Sequence, residues 1–133
     1  MNTSTLDHTI RLRDGRSLGY RELGDPAAPP VLAFHGSPGS RLDSGLVDPA
    51  SLGALRARLI FPDRPGLGLS DYQPGRTLRH WPADVRELAD ALGLERFAVT
   101  GVSGGGPYAA ACAHDLADRV TAVVLVSAVA SLD

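Results

Sequence analysis

Short, nearly all-apolar runs separated by helical stretches are the feature that most narrows what this chain can become. Val31-Leu32-Ala33-Phe34, Leu59-Ile60-Phe61, Phe97–Val102 and Val120–Val126 are each too short for a typical helix and each is bounded by turn or polar residues. Such runs read as strands buried on both faces. Between them lie helix signals. Asp48-Pro49 supplies an N-cap and a first-turn proline for a helix over 50–56. Thr77 caps a second helix with Val85, Leu88, Ala89 and Leu92 on its core face and Gly93 past its end. Pro82, lacking an N–H, delays or kinks that helix. An alanine-rich helix over 108–116 follows the third run. Buried strands alternating with helices imply right-handed crossovers and a parallel sheet.

Ahead of this block the first 23 residues read as a hairpin. Ile10 and Leu12 alternate with Thr9, Arg11 and Arg13, Asp14-Gly15 gives a tight-turn signal, and a second extended run covers 17–23. Arg11 and Arg13 fall on one solvated face. The expected architecture is therefore a mixed α/β sheet, with an antiparallel hairpin leading into parallel strands.

Composition removes several functional classes. The chain has 133 residues, a prior for one domain, and 44% are apolar. All 13 basic residues are Arg, so a Gly-Lys-Ser/Thr phosphate loop is excluded. A net charge of −2 argues against nucleic acid as a partner. Cys112 stands alone, which excludes an internal disulfide and a cysteine-based zinc cluster and suits a reducing compartment. With no H-E-x-x-H and no Cys/His cluster, no metal or cofactor is expected. The first ten residues lack a signal peptide's apolar core, and the apolar stretch over 120–132 is too short for a hydrocarbon layer of about 30 Å. These features lead us to expect a soluble, cytoplasmic protein that engages no membrane.

The chemically informative spot is Gly101-Val102-Ser103-Gly104-Gly105, a G-x-S-x-G between a buried strand and a helix. A strand that turns sharply into a helix strains the serine backbone and leaves no room for side chains at the flanking positions. The hydroxyl is then held above the sheet edge, and the Gly104 N–H at the start of the helix points where an oxyanion would form. Two rival readings exist. One is a glycine-rich turn with an incidental serine. The other is a dinucleotide loop, because residues 104–109 fit G-x-G-x-x-A. The latter requires an acidic residue at the end of the next strand, and Val126-Ser127-Ala128 stands there.

Three segments together resemble the α/β-hydrolase family over essentially the whole chain. They are His35-Gly36-Ser37-Pro38-Gly39, Asp63-Arg64-Pro65-Gly66-Leu67-Gly68-Leu69-Ser70, and Gly101-Val102-Ser103-Gly104-Gly105, each after a buried strand. The resemblance implies Ser103 as nucleophile and an oxyanion hole made by the N–H groups of Ser37 and Gly104. It further implies that His35 and Gly36 shape the oxyanion loop, and that the 63–70 loop is architectural. Serine at the nucleophile position points away from aspartate-nucleophile dehalogenases and epoxide hydrolases. It points toward esterases, lactonases, carbon–carbon hydrolases or cofactor-free perhydrolases acting on small ester-like molecules.

A serine of this kind needs a base, and the base an orienting acid, in the family order Ser, Asp or Glu, His. The sole histidine after Ser103 is His114. It lies eleven residues along the helix, about 16 Å away at 1.5 Å per residue, beyond the reach of a base. His8 belongs to the hairpin, His80 to a surface turn, and His35 has the wrong chain order for a triad histidine. Asp133 ends the chain with no histidine to orient, and Asp115 and Asp118 sit at the wrong end of the helix. Residues 1–133 thus look like the amino-terminal part of a single, truncated hydrolase domain. Val123-Val124-Leu125-Val126 becomes an edge strand with the character of an interior one, which invites self-association or a complementing carboxyl-terminal segment. The alternative to a completed enzyme is a non-catalytic binding or interaction module of the same fold.

Overall fold

The computed structural model describes residues 6–130. Six strands form one mixed sheet: β1 (Asp7–Arg11), β2 (Ser17–Gly24), β3 (Pro30–Phe34), β4 (Arg58–Pro62), β5 (Phe97–Val102) and β6 (Val120–Val126). Their order across the sheet is β1-β2-β4-β3-β5-β6. The hairpin is antiparallel and β2 continues antiparallel onto β4, whereas β4, β3, β5 and β6 run parallel. Pro62 is the last residue of β4, paired with Tyr20.

Three helices complete the fold: α1 (Pro49–Leu55), α2 (Trp81–Ala91) and α3 (Gly106–Asp115). The Asp48 carboxylate accepts the Ser51 N–H at 3.0 Å, and Arg56, in a left-handed conformation (φ 46°), ends α1. Pro82 sits in the first turn of α2, where its missing N–H costs no hydrogen bond, so the helix is delayed and not kinked. A short 3₁₀ turn, Leu78–His80, capped by Thr77, fills that delay. A second such turn, Arg41–Leu46, had no legible pattern.

Connections from β3 to β4 and from β4 to β5 run in opposite directions across the sheet, so right-handed crossovers place α1 and α2 on opposite faces. The core lies on the α2/α3 face. Leu32, Ile60, Phe97 and Val99 from the strands meet Val85, Leu88, Ala89, Ala109 and Cys112 from the helices, all at most 1% exposed. Leu92, on the expected core face, is only partly buried because it is the C-cap. Trp81 joins the two layers, edge-on to Phe34 at 5.5 Å and to Tyr108 at 6.2 Å.

With no lysine available, several polar ties between elements are made by guanidinium forks. Arg16 grips buried Asp84 through two bonds of 2.7 and 3.0 Å, fastening the hairpin turn to α2. Arg58 holds Glu22 the same way across β4 and β2. A chain of charges runs from Arg21 to Asp7, to Arg41, to the fully buried Asp63.

The Asp7 carboxyl is held well below the usual carboxylate range by its bond to Arg41 and then by that to Arg21. Folding lowers this pKa, so the unfolded chain binds the proton more readily. The stabilisation is complete above the unfolded value of about 4 and fades as pH falls below it. Urea midpoints at pH 7 and pH 3 should show that Asp7→Asn loses less stability on acidification than the wild type. Equal losses would remove Asp7 from the acid response.

Candidate active site

Because β3 and β5 are parallel neighbours, with Phe34 opposite Gly101, the segments leaving their carboxyl ends meet above the sheet. This is the place where strand connections diverge to opposite faces, the usual site of a ligand crevice in such sheets. Ser103 directly follows β5 and adopts φ 49°, a left-handed backbone that a non-glycine residue avoids at a cost of about 1–3 kcal/mol. Ser103–Gly105 forms a 3₁₀ turn that leads straight into α3. The serine is half-buried, and no described residue hydrogen-bonds its hydroxyl.

Glycine is required around this bend by contact. A Cβ on Gly101 would collide with the carbonyl oxygen of Gly105, and one on Gly105 with that of Phe34. A Cβ on Gly104 would lie 2.6 Å from Ser37 Oγ and 3.3 Å from the Ser37 amide nitrogen, so these two residues face each other. Gly36 borders the serine, its ideal Cβ position 3.6 Å from Ser103 Cβ. The Val129 N–H donates to the Ser103 carbonyl at 3.0 Å, bringing the segment after β6 back onto the bend.

The oxyanion-loop candidates are thus gathered with Ser103. His35 is buried, donating through Nδ1 to the Gly36 carbonyl (2.8 Å) and accepting the Arg64 N–H at Nε2 (3.3 Å). That pattern assigns the neutral Nδ1–H tautomer. Burial, and then the nearby Arg64 guanidinium, hold its pKa below the ordinary histidine value. With both nitrogens engaged, His35 is a brace of the loop.

The other histidines lie elsewhere. His114 is exposed near the end of α3, with Nδ1 2.6 Å from Asp115. His80 is exposed and accepts the Thr77 N–H at 2.8 Å, and His8 stacks on Tyr20. Asp118 pairs with Arg86 on the surface, and Asp133 lies outside the described residues. Cys112 is fully buried, and burial pushes its thiol pKa up, so it is no nucleophile.

The 63–70 loop is held by Asp63. Asp63 accepts the Arg41 N–H at 2.6 Å and the Leu69 N–H at 2.8 Å. Arg64 and Tyr108 are the residues at this site that sequence reasoning missed. Arg64 is 2% exposed, and its guanidinium lies 4.4 Å over the Tyr108 ring. Arginine is so seldom buried that nothing in the local pattern marks it.

A profile of the alpha/beta hydrolase fold matches residues 29–133. The chain belongs to that family. Among curated α/β-hydrolase relatives it is 32% identical over 131 residues to a "Probable proline iminopeptidase" of Streptomyces coelicolor, covering 90% of this chain and 39% of the relative. It is 37% identical over 108 residues to haloalkane dehalogenase 2 of Mycobacterium tuberculosis, covering 77% and 36%. The crystal structure of a hydrolase from Pseudomonas aeruginosa superimposes with TM-score 0.80 at 34% identity, over 98% of this chain and 49% of that one. The chain therefore spans about two-fifths of the length of these curated α/β hydrolases. Among the described residues no helix is long and apolar enough to cross a membrane.

Two glycine substitutions should separate the bend from an ordinary helix. Gly101→Ala forces a Cβ onto the Gly105 carbonyl and should cost about 1–3 kcal/mol as overpacking. Gly53→Ala, inside α1 with open space around it, should instead stabilise by about 0.5–1 kcal/mol. Denaturant midpoints measure both. A harmless Gly101→Ala would show that the bend has room to spare.

Proposed function

We propose that this polypeptide is the amino-terminal part of a serine hydrolase that cleaves small ester-like molecules through an acyl-Ser103 intermediate. The observation that carries the reading is the strained Ser103 backbone, placed at the carboxyl ends of β3 and β5 and packed against the loop that bears Ser37. In this mechanism the Ser103 hydroxyl attacks the acyl carbon and gives its proton to a histidine base. The carbonyl oxygen becomes an oxyanion that accepts the N–H groups of Ser37 and Gly104. Collapse expels the alcohol, which takes the proton from the histidine, and water then hydrolyses the acyl-serine by the same route.

The base and its acid belong to a carboxyl-terminal part. Supporting this, no described histidine hydrogen-bonds Ser103, and the relatives extend well beyond the matched region. The Ser at position 103 separates this reading from the halide chemistry in the name of the mycobacterial relative, where the family expectation is an aspartate nucleophile. His35 is excluded as a substitute base because both its ring nitrogens are occupied.

The full polypeptide carrying these residues should be labelled at Ser103 by a fluorophosphonate, and Ser103→Ala should abolish the label. If Ser103 stays unlabelled, the non-catalytic module of the same fold becomes the better account. Produced alone, residues 1–133 should self-associate or precipitate, because β6 offers an uncovered apolar edge. Light scattering that returns a monodisperse monomer with a cooperative melt would contradict this.

A further inference from the structure

Arg64 is a buried cation that hydrogen-bonds no carboxylate among the described residues, Asp43 acting on it only at longer range. Its donors go to the main chain of the loop after β3: Nη1 to the His35 carbonyl at 2.6 Å and Nη2 to the Gly36 carbonyl at 3.1 Å. Nη2 also lies 3.3 Å from Ser37 Oγ. The guanidinium carbon lies 4.4 Å over the ring of Tyr108, which stands in the first turn of the helix that Ser103 leads into. Burying a charge without a counter-ion is expensive, and a neutral side chain could tie two loops together more cheaply.

Peptide geometry supplies a reason for the charge. In a trans peptide the carbonyl and the following N–H point in opposite directions. The Gly36 carbonyl is held from one side by Arg64 Nη2 and by His35 Nδ1. The Ser37 N–H, anti to that carbonyl, is therefore directed away from the donors that hold it, and the Ser37 nitrogen lies 3.3 Å from where a Gly104 Cβ would stand. Rotating that peptide would break two hydrogen bonds to charged or buried donors.

We infer that Arg64 is a positioning residue for the oxyanion site: it fixes the plane of the Gly36–Ser37 peptide so that the Ser37 N–H faces Gly104, and it keeps a permanent positive charge behind that amide. The inference rests on the Ser103 reading above. A guanidinium remains protonated at any working pH, so the field it provides is constant through the reaction. Its amide dipole is set before substrate arrives, which is what makes such donors effective.

The test compares wild type, Arg64→Met and Arg64→Lys in the full polypeptide, by fluorophosphonate labelling, ester hydrolysis and affinity for a boronic acid whose adduct places an oxygen anion in the hole. Arg64→Met should lower labelling rate and kcat by about 10²-fold with KM little changed, the size of effect seen when one oxyanion donor is lost. Boronic acid affinity should fall in parallel. Arg64→Lys keeps the charge but only one carbonyl bond, and should lose about tenfold, the worth of one hydrogen bond. It carries the test alone if Arg64→Met does not fold. Wild-type rates in either folded variant, or a loss confined to KM, would overturn the role of Arg64. Absence of label in the wild type, or label that survives Ser103→Ala, would overturn the nucleophile instead.

Discussion

The whole arrangement depends on how closely the bend after β5 approaches the end of β3. Backbone meets backbone there, the Cα of Gly105 facing the Phe34 carbonyl and that of Gly101 facing the Gly105 carbonyl, with no volume left for a single methyl group. This contact does two things together. It lets a serine stand in a left-handed conformation at the rim of the sheet, and it sets that serine beside the segment that leaves the neighbouring strand. The strain at Ser103 persists because the surroundings over-determine it: β5 is paired on both sides, α3 starts at Gly106, and the Ser103 carbonyl receives the Val129 N–H.

Around that contact the loops are held by charge as much as by packing. Asp63 and Arg64 are adjacent in sequence yet face opposite tasks. Asp63 turns toward Arg41 and the amide of Leu69, anchoring its own loop to the Arg41–Leu46 turn, which the Asp7 bridge ties in turn to the hairpin. Arg64 turns toward the carbonyls of residues 35 and 36, anchoring the neighbouring loop. One loop after β4 thus fixes both the outer and the central parts of the rim. The planar, multi-donor guanidinium suits this work better than an ammonium would, since each fork reaches two acceptors at once. A chain whose cations are all arginine can make every such tie a forked one.

How much of this could be read beforehand followed the range of the forces involved. Buried strands showed as uninterrupted apolar runs, the hairpin as alternation around Asp14-Gly15, and α2 as the spacing of Val85, Leu88 and Ala89. All of these are local patterns, and the strands and helices occur within a residue or two of where they were expected, except that α2 begins at Trp81, three residues later than a Thr77 cap implies. The glycines flanking Ser103 were legible because steric exclusion acts between close neighbours in sequence. What escaped was long-range and polar. The sheet order, the Arg41–Leu46 turn and the burial of Arg64 depend on partners tens of residues away. An arginine that donates to His35 and Gly36 looks, in one dimension, like any solvated arginine in a glycine-proline loop.

The sheet is finished at one end and open at the other, and the contrast bears on what the fold needs. On β5, Phe97, Val99 and Gly101 are sealed under α2 and α3, while Val102 on the opposite face is 44% exposed. On β6 the exposure covers both faces, since Val123 and Leu125 fall in register with Val99 and Gly101 and Val124 and Val126 with Thr100 and Val102. Strands evolved to stand at an edge interrupt their pairing groups with charge, proline or a short length. β6 has seven residues, no charge and no proline, and so has the composition of an interior strand. The segment after it also carries the amide that binds the Ser103 carbonyl. That hydrogen bond links the position of β6 to that of the bend. Under the proposed reading, covering that edge would stabilise the sheet and hold Ser103 in position with the same contacts.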